Sequence, residues 1–199
     1  MDPEPVHNEE YLNWLHKYIP LTVHLVWHYV GNNYHLLNYV SLRLPFIIHG
    51  GTDMVVVNDF DVDTNMIPEG IHAVLNLKIK IERNHIMQVI FEIVAADLLV
   101  SEDKEVFGIL SNLIDDWYIL WIEDNSIKNW KVSSRNIAVE VMNKLLGGDF
   151  GDSSGVNTKG TSIIIPGFNR VKFKTLLSDH FTLEERIYLD SVKDSYSNT

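Results

Sequence analysis

The sequence predicts an α/β domain, with a central mixed sheet of four or five strands and helices on both faces, in the order αβββαβ. Two patterns predict this class. Residues Ile71 to Ile81 alternate between apolar and polar side chains, as a strand does, and His85 to Val100 carry apolar side chains at helical spacing. The composition agrees, because 199 residues with 46% hydrophobic and 22% charged side chains are enough for one well-packed domain.

Composition excludes several classes of protein. The chain has no cysteine, so disulfide frameworks, thiolate zinc sites and a cysteine nucleophile are ruled out. A net charge of −11 argues against non-specific coating of nucleic acid but allows a local basic groove. The acidic first residues lack an apolar core, so we expect no secretory signal in this chain. No apolar run is long enough for a membrane span, so we expect no membrane partner.

The first part of the chain is predicted to be helical. Aromatic and leucine side chains from Tyr11 to Tyr18 have helical spacing, and Pro20 interrupts the pattern. Leu21 to Val30 are predicted to continue as a second helical stretch. Gly31-Asn32-Asn33 is typical of a turn. We therefore expect residues 1–41 to form an N-terminal helical part.

Three strands are predicted to follow. Alternating residues from Leu42 to Ile48 indicate an edge strand because Pro45 lies within them, and Gly50-Gly51 is typical of a tight turn. The β-branched run Asp53 to Asn58 predicts a second strand. After a polar loop over 59–70, Ile71 to Ile81 form the third strand. In that strand Leu75, Leu77, Ile79 and Ile81 face one way, and Asn76, Lys78 and Lys80 face the other.

The predicted helix over His85 to Val100 places Gln88 and Glu92 on one face, because they lie four residues apart. Two more strands are predicted over Val106 to Leu110 and over Trp117 to Ile122. The second is apolar on both faces, which indicates a buried position. Trp117 and Trp121 are therefore expected in the core.

The last predicted helix is capped by Ser133 or Ser134 and ends at Gly147-Gly148. Residues 149–199 are predicted to be a loop rich in glycine and serine with a C-terminal extension, which carries the small basic cluster Arg170, Lys172 and Lys174. The whole chain, 1–199, is thus interpreted as a single domain whose core spans 42–148.

Two metal-site patterns are weak. Asp59, Asp61 and Asp63 alternate as in a calcium loop, but the required glycine and terminal glutamate are missing, which favours a solvated acidic loop. His24 and His28 have the spacing of two zinc ligands on a helix, but no third ligand can be named. Two packed histidines are the simpler interpretation.

A stronger constellation runs from Gly51 to Glu92. Asp53 opens one predicted strand, Asn76 and Lys78 share a face of the next, and a helix carrying Gln88 follows. Carboxylates that bind Mg²⁺ and a lysine that stabilises a phosphate are the chemistry of phosphodiester hydrolysis. Positive potential is expected beside the site from Lys78, Lys80, Arg83 and His85. The simpler alternative is an edge strand with its polar residues facing water.

Three segments of the sequence resemble one known fold. They read PFIIHGGTDMVVVN, GIHAVLNLKIKIERNHIMQVIFEIVAADLL and VFGILSNLIDDWYILWIED, and together cover roughly residues 45–125. They resemble the restriction-endonuclease-like, or PD-(D/E)XK, domain, and more narrowly the nuclease-like C-terminal domains of Crinkler-type effectors of oomycetes and fungi. The resemblance implies a nuclease-like fold, nucleic acid as partner and Mg²⁺ as cofactor.

Individual roles follow from the resemblance. Asp53 matches the metal-binding aspartate, Lys78 the catalytic lysine, and Gln88 the helix glutamine that faces the site. Glu9 or Glu10 corresponds to an acidic residue that some members carry on the first helix. Asn76 departs from the pattern, because the family has a glutamate or aspartate there and an asparagine brings no charge to Mg²⁺.

Three interpretations stay open. The first is a nucleic-acid-binding effector-type domain whose catalytic centre is impaired by Asn76. The second is an active Mg²⁺-dependent DNA or RNA endonuclease, in which Glu92 or the loop of Asp59 to Asp63 replaces the missing carboxylate. The third is a pseudo-nuclease that binds host proteins. We expect an intracellular protein, and the resemblance implies secretion from the parent organism and action in a host nucleus or cytoplasm.

Overall fold

The computed structural model describes residues 8–31, 33, 35–40, 47–101, 104–123, 126–132 and 134–146. Several predictions lie outside these residues. They concern most of the strand over Leu42 to Ile48, the helix end at Gly147-Gly148, and all of 149–199 with its basic cluster.

The described residues form one six-stranded mixed sheet whose strands lie in chain order. The strands are β1 (Leu25–Tyr29), β2 (Met54–Asn58), β3 (Ile71–Leu77), β4 (Phe107–Ser111), β5 (Trp117–Glu123) and β6 (Ser126–Val132). The helices are α1 (Asn8–Tyr18), α2 (Asp59–Asp63), α3 (Arg83–Leu99) and α4 (Arg135–Leu146). A 3-10 helix, Ile67–Gly70, precedes β3.

Neighbouring strands are antiparallel except for β3 and β4, which are parallel. A parallel pair needs a crossover connection, and α3 supplies it. The predicted α/β class, a mixed sheet with helices on both faces, is confirmed. The order αβββαβ recurs in α1, β1 to β3, α3 and β4, but its first strand is formed by residues 25–29, which were predicted to be helical, and not by the predicted strand over 42–48. The sheet has six strands in place of four or five, because β1 and β6 are strands that the sequence pattern did not indicate.

Each face of the sheet buries its own apolar core. Met54 and Val56 of β2 point to the face that carries α1 and α4, while Val55 and Val57 point to the face covered by α3. This double burial explains why β2 is apolar at every position from 54 to 57. Trp117 and Trp121 lie in the core, as predicted.

The prediction of a helix over Leu21 to Val30 was wrong. Residues 25–29 are β1, which pairs with β2 so that Trp27 lies opposite Val56. A ten-residue stretch after Pro20 is too short for a stable helix by itself, and the segment gains a ladder of hydrogen bonds as an edge strand. The N-terminal part of the chain is thus not wholly helical.

The zinc prediction for His24 and His28 loses its basis, because the two residues do not share a helix. His24 lies outside β1, and its backbone oxygen accepts a hydrogen bond from the Asp59 backbone N–H at 3.0 Å. His28 lies within β1, and partial burial lowers its pKa. His24 is exposed and His28 is half-buried, so the interpretation of two packed histidines is wrong for His24.

The third predicted strand is shorter than expected. β3 ends at Leu77, although the Lys78 backbone N–H still donates to the Ser111 oxygen at 3.0 Å. Beyond it the chain turns towards α3, so Ile79 is 96% exposed and does not face the core as predicted.

Two connections also differ from the prediction. The segment over 59–70 contains α2 and the 3-10 helix in place of a plain loop. Gly50-Gly51 does not form the predicted tight turn: both residues lie in an irregular segment, and the Gly50 oxygen accepts a hydrogen bond from the Leu37 backbone N–H at 3.0 Å. Among the described residues, no helix is long and apolar enough to cross a membrane.

Candidate active site

The site lies where β2 begins and β3 ends. The two strands are antiparallel with Met54 opposite Leu75, so one further step places Asp53 opposite Asn76. Side chains alternate along a strand, so both residues face α3, as Val55 and Val74 do. The Leu77 backbone N–H donates to Asp53 Oδ2 at 2.6 Å and fixes the carboxylate at the strand end.

Helix α3 lays two polar side chains over Asn76. Asn76 Nδ2 donates to Glu92 Oε2 at 2.5 Å, and Gln88 Nε2 donates to Glu92 Oε1 at 2.8 Å. Gln88 Nε2 also lies 3.3 Å from Asn76 Oδ1. The predicted shared face of Gln88 and Glu92 therefore holds, and both oxygens of Glu92 accept hydrogen bonds from neutral amides.

The Glu92 carboxyl is almost completely buried, with 4% of the residue exposed. Burial raises its pKa from 4.5 to about 8. Hydrogen bonds from Gln88 oppose the rise in pKa, and the negative charge of Asp53 adds to it. Glu92 and Asp53 therefore act on each other as like charges within one site.

Lys78 extends the site towards solvent. Its Nζ lies 3.7 Å from Asp53 Oδ2, and its side chain is 14% exposed. A cation with so little water around it attracts an anion more strongly than one on an open surface does. Lys78 lies one residue beyond the end of β3.

Thr52 belongs to the same cluster, although no sequence pattern indicated a role for it. It is 5% exposed, and its hydroxyl donates to the Leu75 oxygen at 2.9 Å. The hydroxyl also lies within hydrogen-bonding reach of Glu92. Thr52 stands next to Asp53 in the chain, and this adjacency is the signal that could have indicated it.

The cluster opens into a cleft of about 1530 Å³. Its lining includes the positively charged or titratable side chains Lys78, Lys80, His85 and Arg135. Glu10 of α1 lines the same cleft, whereas Glu9 is not part of the lining. Of the two acidic residues considered on the first helix, Glu10 is the one that faces the site.

The other predicted phosphate contacts differ in position. The Lys80 side chain is 83% exposed and lies 3.9 Å from Glu82. His85 Nδ1 accepts a hydrogen bond from the Glu82 backbone N–H at 3.1 Å, so this ring stabilises the start of α3. Arg83 is exposed at the first position of α3, outside the lining of the cleft.

The acidic loop of Asp59 to Asp63 does not supply a replacement carboxylate. It follows the far end of β2, five residues and roughly 17 Å along the strand from Asp53. Asp61 instead lies 3.4 Å from the Lys104 amine and accepts a hydrogen bond from Asn58 at 2.8 Å. Glu92 is therefore the only one of the two suggested replacements that lies beside Asp53.

The donors suit a partly hydrated cation. Within the described ranges, no group of three or more histidine, aspartate or glutamate side chains is arranged to hold a metal ion. Mg²⁺, however, commonly keeps several waters and binds through one or two carboxylates plus substrate phosphate. Asp53, Glu92 and the amide oxygen of Asn76 offer that kind of donor set.

Comparisons of the chain with family models, with curated proteins and with solved structures give no match. The resemblance to PD-(D/E)XK and Crinkler-type domains therefore stays a prediction.

Proposed function

We propose that this chain binds nucleic acid in the cleft and hydrolyses a phosphodiester bond there, and that Asp53 and Glu92 would hold the divalent cation that this reaction uses. The observation that carries the proposal is the position of Glu92. Its carboxylate lies in direct contact with the Asn76 amide, next to the strand position where a second acidic ligand is expected. The missing negative charge is thus supplied from α3.

The electrostatics of the site support a cation. Asp53 raises the pKa of Glu92, so the two carboxylates repel each other when both are ionised. A divalent cation between them would remove that repulsion and favour the ionised form of Glu92. When bound, such a cation would activate a water and neutralise charge on the phosphate.

The chain's own residues then have distinct roles. Lys78 lies at the mouth of the site and would face a phosphate oxygen, where a buried ammonium stabilises developing negative charge. Gln88 and Asn76 hold the Glu92 carboxylate in place through their amide N–H groups. The Leu77 backbone N–H orients Asp53.

A specific observation favours a second candidate, nucleic-acid binding with an impaired centre. The pKa of Glu92 near 8 means that this carboxyl is mostly protonated at neutral pH without a cation, and a protonated carboxyl is a poor metal ligand. In this candidate, the fold and the cleft serve to bind nucleic acid without cleaving it. The proposed effector role fits this candidate, whereas recognition of host proteins belongs to the pseudo-nuclease used as a protein-interaction module.

The deciding experiment is cleavage of plasmid DNA and of a structured RNA by the purified chain, with Mg²⁺, with Mn²⁺ and with a chelator. Asp53→Ala and Glu92→Gln should each abolish cleavage. Glu140→Gln is the matched control, because Glu140 lies on α4 in an ion pair with Lys144 at 3.3 Å. Cleavage that persists in Glu92→Gln would overturn the role of Glu92.

Absence of cleavage by folded protein would favour the second candidate if the chain still binds nucleic acid. Binding through phosphates weakens steeply as salt concentration rises. Filter binding of DNA and RNA at low and at physiological salt measures this dependence. No binding of either nucleic acid at low salt would overturn both candidates and leave the protein-interaction module.

A further inference from the structure

The mouth of the cleft carries exposed apolar side chains. Four large residues of its lining are more than half exposed: Ile47 (55%), Ile79 (96%), Phe91 (51%) and Ile114 (66%). An apolar surface of this kind beside charged residues marks an interaction site. The polar cluster around Asp53 and Glu92 does not explain this apolar surface.

Two of these residues come from adjacent loops. β3 and β4 are parallel neighbours with Leu77 opposite Ser111, so both strands end at the same edge of the sheet. Ile79 follows β3 by two residues, and Ile114 follows β4 by three. The two isoleucines therefore lie at the edge where Lys78 and Asn76 build the candidate active site.

The loop that carries Ile114 is held in one conformation. Asn112 Oδ1 accepts hydrogen bonds from three successive backbone N–H groups, those of residues 114, 115 and 116, at 2.9, 3.1 and 3.0 Å. Leu113 has a φ of 60° and is buried, and its N–H donates to Ser111 Oγ at 2.8 Å. This anchoring leaves Ile114 exposed on a preformed turn.

Phe91 provides an aromatic surface on α3. It lies three residues from Gln88 and next to Glu92, so it shares the cleft with the polar cluster. An exposed aromatic ring beside a phosphate site is the element with which proteins stack unpaired bases.

We infer that the preferred substrate is nucleic acid with unpaired bases at the bound step, and that Ile79, Ile114 and Phe91 contact those bases. This inference rests on the proposed function. In a closed duplex the faces of the bases are stacked on one another and only their edges are accessible in the grooves, so little base surface is available to isoleucine side chains. Apolar side chains do pack against bases once these are unstacked.

The charges of the cleft favour nucleic acid over a protein occupant. Lys78, Lys80 and Arg135 line the cleft with the apolar residues. The acidic residues of the lining are Glu10, Asp53 and Glu92, so the cleft is close to charge balance, whereas the chain as a whole carries a net charge of −11. A cleft that is less acidic than the rest of the chain and combines cationic with apolar side chains complements a strand with phosphates on one side and bases on the other.

The test compares the affinity of the chain, in chelator, for a fluorescent duplex and for the same duplex with a central unpaired stretch. We expect about tenfold tighter binding to the unpaired substrate, because its unstacked bases can contact the apolar and aromatic side chains at the mouth of the cleft. The double variant Ile79→Ser/Ile114→Ser should lose this preference and keep its duplex affinity.

The matched control is Val23→Ser/Phe60→Ser. Val23 is 88% exposed and Phe60 is 66% exposed, and both lie near the opposite edge of the sheet, close to the pair Leu25 and Asn58. This control should keep the preference. Equal affinity for both substrates, or a preference that survives in the Ile79→Ser/Ile114→Ser variant, would overturn the inference.

The outcomes separate this inference from the proposed function. Cleavage that depends on Asp53 but shows no preference for unpaired substrate contradicts only the inference. Loss of all nucleic-acid binding contradicts the proposed function as well. A concentration-dependent dimer that the isoleucine variant abolishes would assign the apolar residues to a second copy of the chain and overturn the inference.

Discussion

Asn76 Nδ2 lies 2.5 Å from Glu92 Oε2, across the interface between the end of β3 and the third turn of α3. The neutral amide and the buried carboxyl form one unit, in which the amide orients the acid. The strand position at which the resemblance implies an acidic metal ligand is thus occupied by an amide that holds a helix residue.

Stability should fall with rising pH because of Glu92. Its folded-state pKa is raised from 4.5 to about 8, so between these values the folded state keeps a proton that the unfolded state releases. The stabilisation by this group is fully present below pH 4.5 and is lost as pH rises towards 8, by at most about 1.4 kcal/mol per pH unit.

Urea unfolding in chelator, measured across this interval, checks the dependence. Glu92→Gln cannot titrate, so its stability should vary less with pH than that of the wild type. Other groups contribute equally to both proteins, and the difference between the two profiles isolates Glu92. If the unfolding free energies of the two proteins vary with pH in parallel, Glu92 is ionised in the folded protein over the whole pH interval.

Asn76→Asp should make the fold depend on a cation. The substitution replaces a hydrogen-bond donor to Glu92 with a second acidic group at the same place, so unfolding free energy in chelator should fall by about 1–3 kcal/mol. Mg²⁺ should then raise the melting temperature more than in the wild type. Asn129→Asp, at an exposed position of β6, is the control. Its unfolding free energy in chelator should equal that of the wild type, and Mg²⁺ should not raise its melting temperature further. A variant that Mg²⁺ leaves unchanged would argue against a cation at this site.

Lys78→Met should reduce cleavage by about 10²–10³-fold, because the charge that faces the phosphate is lost. It should also lower the salt slope of nucleic-acid binding by about one. Lys144→Met removes a charge from α4, away from the cleft, and should leave both measurements unchanged. An unaltered cleavage rate in Lys78→Met would exclude the proposed role.

Gly108→Ala should destabilise the protein by about 1–3 kcal/mol through overpacking. A Cβ at this position of β4 would lie 2.6 Å from Ile93 Cδ1 and from Val89 Cγ1, both on α3. Pushing α3 outwards would also displace Glu92 and slow cleavage. Gly50→Ala is the control, since its Cβ would meet no atom within 4 Å. Thermal unfolding of the two variants decides the prediction.

Much of the fold could be predicted because local patterns and tertiary structure agree there. The apolar stripe of α3 and the β-branched run of β2 each match the element that forms. The alternation around Asn76 predicted that it lies on the opposite face of β3 from Leu75 and Leu77, and in the structure that face is the one covered by α3. The spacing of Gln88 and Glu92 placed both on one face, which is why the rescue by Glu92 could be suggested.

The α/β class, the alternating faces of β3 and the residue types near the site were predictable from the sequence, because they depend on periodicity within single elements. The pairing of residues 25–29 as a strand depends on tertiary contacts, since pairing with β2 outweighs local preference. Tertiary packing likewise places Glu92, and not the acidic loop of Asp59 to Asp63, beside Asp53. This arrangement depends on how α3 crosses the sheet and on which strand end each segment follows. No local sequence pattern determines either of these.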